Sequence, residues 1–124
     1  MTVLDFYNVT RENYPDATLK ADKEHILRWG EIDPEFAYSW FESLAYALNN
    51  KMVSGVNAAN YKELLEFIST QYSTGGEEEK NCIDVAFTEN LFWEVPSIKA
   101  KDYWQLLPEN LKELYVSFHW REPL

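Results

Sequence analysis

DPEFAYSWFESLAYALNN, residues 33–50, decides the fold, because a helix start signal and a helical period stand together in it. Asp33 can accept hydrogen bonds from the free amides of a first turn, and Pro34 fits the first helical position without losing a bond. Apolar residues then recur at spacings of three and four, the period of one helix face. These positions are Phe36, Trp40, Phe41, Leu44 and Leu48. The pattern predicts a helix from residue 34 to about 49.

A second apolar stripe of the same period follows in residues 58–72. Charged and polar residues fall on its opposite side, as expected for a helix that covers a core. Gly75-Gly76 would end this helix, because glycine weakens helical continuation. The stripe consists of Tyr61, Leu64, Leu65, Ile68 and Tyr72.

A third helix is predicted to begin at the glutamates of residues 77–79, because negative charge is favoured beside the unpaired amides of a helix N-terminus. It should run to about Trp93, since Val95-Pro96 then disfavours helical backbone. Asp84 and Thr88 are expected to lie away from its buried side. That side consists of Cys82, Ile83, Ala86, Phe87 and Leu91.

The C-terminal part of the chain is rich in aromatic residues. A short turn or helix is expected through Tyr103, Trp104 and Leu107, and Pro108 would open a last helix. The stripe of this last helix predicts that Tyr115 and Phe118 are core residues. The pattern leaves open which way Tyr103 and Trp120 face, and also Tyr38 and Tyr46, which lie off the stripe of their own helix.

The first 28 residues are ambiguous, because short apolar groups there fit either two helices around a turn at residues 14–16 or a strand. With the rest of the chain, the predicted fold class is all-α. We expect a single helical domain over residues 1–124, a compact array of about five or six helices with antiparallel neighbours joined by short turns.

The acidity of the chain is concentrated in its middle. The 124 residues carry a net charge of −10, and residues 29–98 hold twelve acidic residues against three lysines, a net charge of −9. A face of this sign repels nucleic acid and anionic membrane, and attracts a basic protein surface. We therefore expect a protein partner, with no nucleic acid and no membrane.

Other classes of function find little support in the sequence. Cys82 is the only cysteine, which excludes an internal disulfide and suits the reducing cytoplasm. No export signal or run of about 18 apolar residues is visible.

The sequence also gives little support for a metal or cofactor site. The two histidines lack the spacing of metal ligands, and no phosphate-binding loop occurs. Helix capping explains the acids of residues 31–35 better than a bound cation does. We expect no metal, no cofactor and no catalysis, unless a cleft holds a Glu or His with a strongly shifted pKa.

Two segments carry a family resemblance. CIDVAFTENL, residues 82–91, and YWQLLPENLKELY, residues 103–115, resemble an uncharacterised family of small helical bacterial proteins. Proteins similar to these occur beside polymorphic or contact-dependent growth-inhibition toxins, so the resemblance implies an immunity role. Thr88 departs from it, since a larger apolar residue is expected there.

The leading hypothesis is an immunity protein that binds and neutralises a cognate bacterial toxin, basic and of nuclease type. Carboxylates fixed on rigid helices would cover the basic cleft, with tyrosines as aromatic anchors. The alternative is a helical adaptor or structural module that binds through its aromatic C-terminal region. The predicted partner-binding residues are Glu31, Glu35, Tyr38, Glu42, Tyr46, Glu63, Glu66, Glu77, Glu78, Glu79 and Asp84.

Overall fold

A computed structural model describes all 124 residues and shows an all-helical protein, 77% helix with no strand. The all-α prediction is confirmed, with seven α-helices instead of five or six. A π-helix and two short 3₁₀ turns complete the architecture. The α-helices are α1 Val3–Asn13, α2 Pro15–Trp29, α3 Ala37–Val53, α4 Lys62–Thr74, α5 Glu77–Asn81, α6 Ser97–Leu106 and α7 Glu109–His119. None of them has the length and apolar character that a membrane span requires.

The ambiguous N-terminal segment forms two helices, so the strand alternative is wrong. Thr2 and Asp5 make a reciprocal capping box at the start of α1, which satisfies two free backbone amides. Pro15 opens α2 directly after Tyr14, and Gly30 ends it with φ of 85°. Glycine adopts this left-handed conformation without a Cβ clash.

The decisive stretch begins as predicted but with a tighter first turn. Asp33 accepts a hydrogen bond from the Glu35 amide at 2.9 Å, and a 3₁₀ turn, Pro34–Phe36, precedes α3. With about three residues per turn, Phe36 is rotated out of the apolar stripe and is exposed. The helix then continues to Val53, beyond the predicted end near residue 49.

The predicted third helix is interrupted. After α5 the chain widens into a π-helix, Cys82–Thr88, and then leaves helical geometry before Pro96. The Glu89 amide donates to the Asp84 carbonyl five residues back at 3.0 Å, the bond of a π-turn. Because each residue now turns through a smaller angle, Thr88 faces inward and is 1% exposed, contrary to prediction. Cys82 is buried as predicted.

One continuous hydrophobic cluster joins residues from Val3 to Tyr115. Phe6 and Phe41 stack with ring centroids 4.2 Å apart, and Trp40 meets Phe41 edge-on at 5.1 Å. Such aromatic pairs add stabilisation beyond the area that they bury. Tyr115 is buried as predicted, but Phe118 lies past the last turn that touches the core and is 53% exposed.

Candidate partner-binding surface

Tyr38, Glu42 and Tyr46 stand four residues apart on α3, which places them in one row along its outer side. The row lies against the end of α5 and the loop after the π-helix. The Asn81 side-chain amide donates to the Tyr38 hydroxyl at 3.0 Å, and the Tyr46 hydroxyl donates to Asn90 Oδ1 at 3.0 Å. Both tyrosines are held partly buried, so each keeps some surface exposed to solvent.

Carboxylates of the π-helix and the loop after it extend this row. Burial raises the pKa of Asp84, and burial together with the Asp84 charge raises the pKa of Glu89. Burial also raises the pKa of Tyr46, and the nearby charges of Glu42 and Glu94 raise it further. Burial raises the pKa of Tyr38 as well, and the charges of Glu89 and Asp84 raise it further, so acids act on both tyrosines of the row. We call the following set the acidic–aromatic surface: Tyr38, Glu42, Tyr46, Asp84, Glu89, Trp93 and Glu94.

No carboxylate of the acidic–aromatic surface belongs to an ion pair. The ion pairs of the molecule join Arg11 to Asp22 at 2.6 Å and Arg28 to Glu24 at 3.7 Å. The Arg28 guanidinium lies over the Tyr46 ring at 3.8 Å, a cation–π contact. The four carboxylates are thus free to pair with charges brought by another molecule.

A strained loop presents Trp93 at the edge of this surface. Phe92 and Glu94 have φ of 69° and 55°, a left-handed conformation that residues other than glycine rarely adopt. Trp93 between them is 58% exposed. The buried Asn49 side chain holds the loop, because it donates to the Asn90 carbonyl at 2.9 Å and accepts from the Phe92 amide at 2.7 Å. Backbone strain of this kind persists only where the surroundings enforce it, often at binding sites.

Trp93 and Glu94 also line a cavity of about 260 Å³ together with Tyr46 and Arg28. The indole therefore projects next to the row on α3. Trp93, Glu89 and Glu94 are not among the binding residues predicted from the sequence, because the predicted third helix runs through this segment. A signal was present in the aromatic pair Phe92-Trp93, which stands between two acids.

The structure brings together four of the predicted residues, Tyr38, Glu42, Tyr46 and Asp84, and distributes the others. Glu63 and Glu66 lie on α4, where their charges, after burial, raise the pKa of Tyr14. No side-chain hydrogen bond or ion pair joins the remaining exposed acids to the acidic–aromatic surface. Those acids are Glu31, Glu35, Glu77 and Glu78.

Glu79 does not belong to any exposed surface, which corrects the sequence-based prediction. Its side chain is 0% exposed, and neither carboxylate oxygen has a hydrogen-bond partner. The reason is close packing at the start of α5: a Cβ atom at Gly75 would lie 2.6 Å from Glu79 Oε1. Burial raises the pKa of Glu79, although the nearby ammonium of Met1 lowers it.

A histidine and a serine, the residue types of a nucleophilic site, lie within hydrogen-bond distance of each other. Both are buried, so a substrate has no access to them. His25 Nδ1 and Ser43 Oγ are 2.9 Å apart. The nearby Asp22 carboxylate accepts hydrogen bonds from Arg11 and from Trp40 Nε1. Burial lowers the pKa of His25, which disfavours its charged form. No group of three His, Cys, Asp or Glu residues could hold a metal ion.

A family model described as "Domain of unknown function (DUF7674)" matches residues 7–121 of the chain. The match covers all seven helices except the first residues of α1. No curated protein and no solved structure matches the chain.

Proposed function

The chain belongs to the DUF7674 family, and we propose that it is an immunity protein that binds and neutralises a cognate bacterial toxin. The toxin is basic and of nuclease type, the site of action is the cytoplasm, and the protein itself catalyses no reaction. One observation carries the proposal: four carboxylates without ion pairs, two tyrosines and an exposed tryptophan share one surface.

The chemistry of this surface complements that of a nuclease cleft. A nuclease binds phosphate through clustered lysines and arginines, so an inhibitor needs carboxylates at positions where the substrate has phosphates. Carboxylates that pair with such bases fix the register of the complex and exclude wrong partners. Affinity comes mainly from a few aromatic anchors that exclude water, and Trp93, Tyr38 and Tyr46 supply these.

The acids outside the acidic–aromatic surface have a different role in this proposal. They contribute to the net charge of −10, which attracts a basic protein over distances of about the Debye length, roughly 10 Å at 0.1 M salt. We expect them to increase the association rate and to have little effect on the dissociation rate.

The test uses the C-terminal fragment of a large secreted protein encoded beside this gene, co-expressed with the wild type or a variant. Glu42→Lys/Glu94→Lys changes the surface, and Glu63→Lys/Glu66→Lys is the control with the same change in net charge. We expect the surface variant to lose protection and to bind at least about tenfold more weakly through faster dissociation. The control should protect cells and should mainly associate more slowly.

Two results would count against the proposal. If the wild-type protein fails to neutralise a toxic fragment of this kind, the immunity function is wrong. If both double variants weaken binding equally, only the overall field matters and the acidic–aromatic surface is not the interface.

A second candidate function, a helical adaptor, is favoured by the exposed aromatic residues at the C-terminus. Phe118 is 53% exposed and Trp120 is 89% exposed. Binding through such an aromatic hot spot depends little on salt. A partner whose affinity is unchanged between 0.05 and 0.5 M NaCl, and is lost with Trp120→Ser, would support the adaptor over the immunity protein.

A further inference from the structure

A cavity of about 310 Å³ lies between α2 and α3, and lysines line it although the chain as a whole is acidic. Lys20 and Lys23 line it from α2, and Lys51 lines it from α3. Each of four other cavities contains one lysine or arginine. Three of the eleven basic residues of an acidic chain therefore meet at one place.

The lysines of this cavity are not neutralised by the protein. None of them takes part in an ion pair. Glu24 is the one acid in the lining, and its carboxylate accepts a hydrogen bond from Asn50 at 2.5 Å and lies 3.7 Å from Arg28. The cavity keeps a positive charge that a bound anion could balance.

The remaining lining is apolar. Ile26 and Leu27 are exposed at its rim, and the buried Ala47 lies between the helices. The aliphatic stems of the lysines add to this apolar wall, as is usual when the ammonium groups reach water. A purely polar anion such as free phosphate would leave the wall uncovered, whereas an anion with a hydrocarbon part would cover it.

We propose that this cavity binds a small amphipathic anion, a carboxylate with a single medium-length alkyl chain. The volume is at the lower end of the range for small-molecule sites, which suits one short chain. A free molecule fits better than an anionic bilayer, because a bilayer would repel the net charge of −10. A single small anion in the cavity lies close to the three lysines, so their attraction outweighs the repulsion from the more distant acids.

Isothermal titration calorimetry with sodium decanoate tests this site directly. The variant Lys20→Met/Lys51→Met removes two charges but keeps the side-chain volume, and Ala47→Phe fills the cavity. Lys99→Met/Lys101→Met is the control, with the same loss of charge on exposed positions of α6. We expect binding to the wild type and the control, and binding at least tenfold weaker in both cavity variants. Circular dichroism checks that each variant is folded. If Ala47→Phe does not fold, the test rests on decanoate binding by Lys20→Met/Lys51→Met.

Two further probes define the ligand class. Acetate at the same ionic strength supplies the carboxylate alone, and it should bind at least tenfold more weakly than decanoate. Vesicles of phosphatidylglycerol and phosphatidylcholine supply an anionic bilayer, and they should not bind. The proposal is overturned if decanoate does not bind, if it binds the cavity variants as well as the wild type, or if only vesicles bind.

Discussion

Glu79 makes the free energy of unfolding of the protein depend on pH. Its pKa is raised above the ordinary value of 4.5 because burial disfavours the charged form. The stabilisation due to its protonated form is therefore fully present below pH 4.5 and is lost as pH rises through the folded-state pKa. At neutral pH the buried carboxylate opposes folding.

We expect Glu79→Gln, which cannot ionise, to raise the free energy of unfolding by about 1 kcal/mol at pH 7, because it removes the cost of a buried charge. The gain should be smaller at pH 5, where the wild-type carboxyl is closer to its protonated form. Urea denaturation at both pH values measures this difference. Glu78→Gln, at the exposed neighbouring position, is the control and should have little effect, while a Glu79→Gln gain that does not change with pH would contradict the explanation.

Trp120 occupies a left-handed backbone position at the end of α7, a position that glycine adopts at lower cost. It follows the last residue of α7 with φ of 63°, and its side chain is 89% exposed. Left-handed backbone costs a residue with a Cβ roughly 1 to 2 kcal/mol, and little core contact compensates. We expect Trp120→Gly to raise the free energy of unfolding by about 1 kcal/mol.

The control for Trp120→Gly is Phe118→Gly. Phe118 is also exposed, but its backbone is helical because it lies inside α7. This variant should lower the free energy of unfolding by about 1 kcal/mol. Thermal unfolding followed by circular dichroism measures both changes. A loss of stability in Trp120→Gly would mean that the indole makes contacts that stabilise the fold.

The sequence predicts single residues well where local chemistry decides their role. Asp33 caps a first turn through its own side chain, and Cys82 is buried within an apolar run. Burial of Glu79 was not predictable, because it depends on how closely α5 approaches the chain at Gly75. Exposure of Phe118 was not predictable either, since it depends on where the core ends along α7.

At the scale of elements, α3 and the loop that carries Trp93 act as one unit through Asn49. We expect Asn49→Ala to lower the free energy of unfolding by about 1 to 3 kcal/mol, because it leaves the Phe92 amide without a partner and the Asn90 carbonyl with only the Trp93 amide at 3.3 Å. Hydrogen exchange of the Phe92 amide should become faster by more than the global destabilisation explains. Asn50→Ala, next to it but exposed, is the control and should leave this amide protected.

The elements themselves were predictable where an apolar stripe continues over several turns, as in α3 and α4. The π-helix was not, because stripe analysis assumes about 3.6 residues per turn, and the apolar residues before Leu91 fit that period. Asn49 and Asn90, which hold the strained loop, carry no sequence signal. Their partners are more than 40 positions away in the chain or belong to the backbone.

For the whole molecule, the sequence gives the size of the charge but not its arrangement. Composition places a net charge of −9 in residues 29–98. The fold then divides these acids between the acidic–aromatic surface, α4, the start of α5 and residues 31–35 before α3. The choice between a binding surface and a diffuse field therefore depends on tertiary packing, which a local pattern does not contain.

The molecule as a whole should be stabilised by salt, because a net charge of −10 repels itself and few ion pairs offset the repulsion. Raising NaCl from 0.01 to 0.1 M shortens the Debye length from about 30 to about 10 Å. We expect the free energy of unfolding to increase by on the order of 1 kcal/mol. Urea denaturation at the two concentrations measures it. Glu63→Lys/Glu66→Lys, with a net charge of −6 instead of −10, should show a smaller increase. A decrease with salt would mean that attraction between charges, and not repulsion, dominates the folded surface.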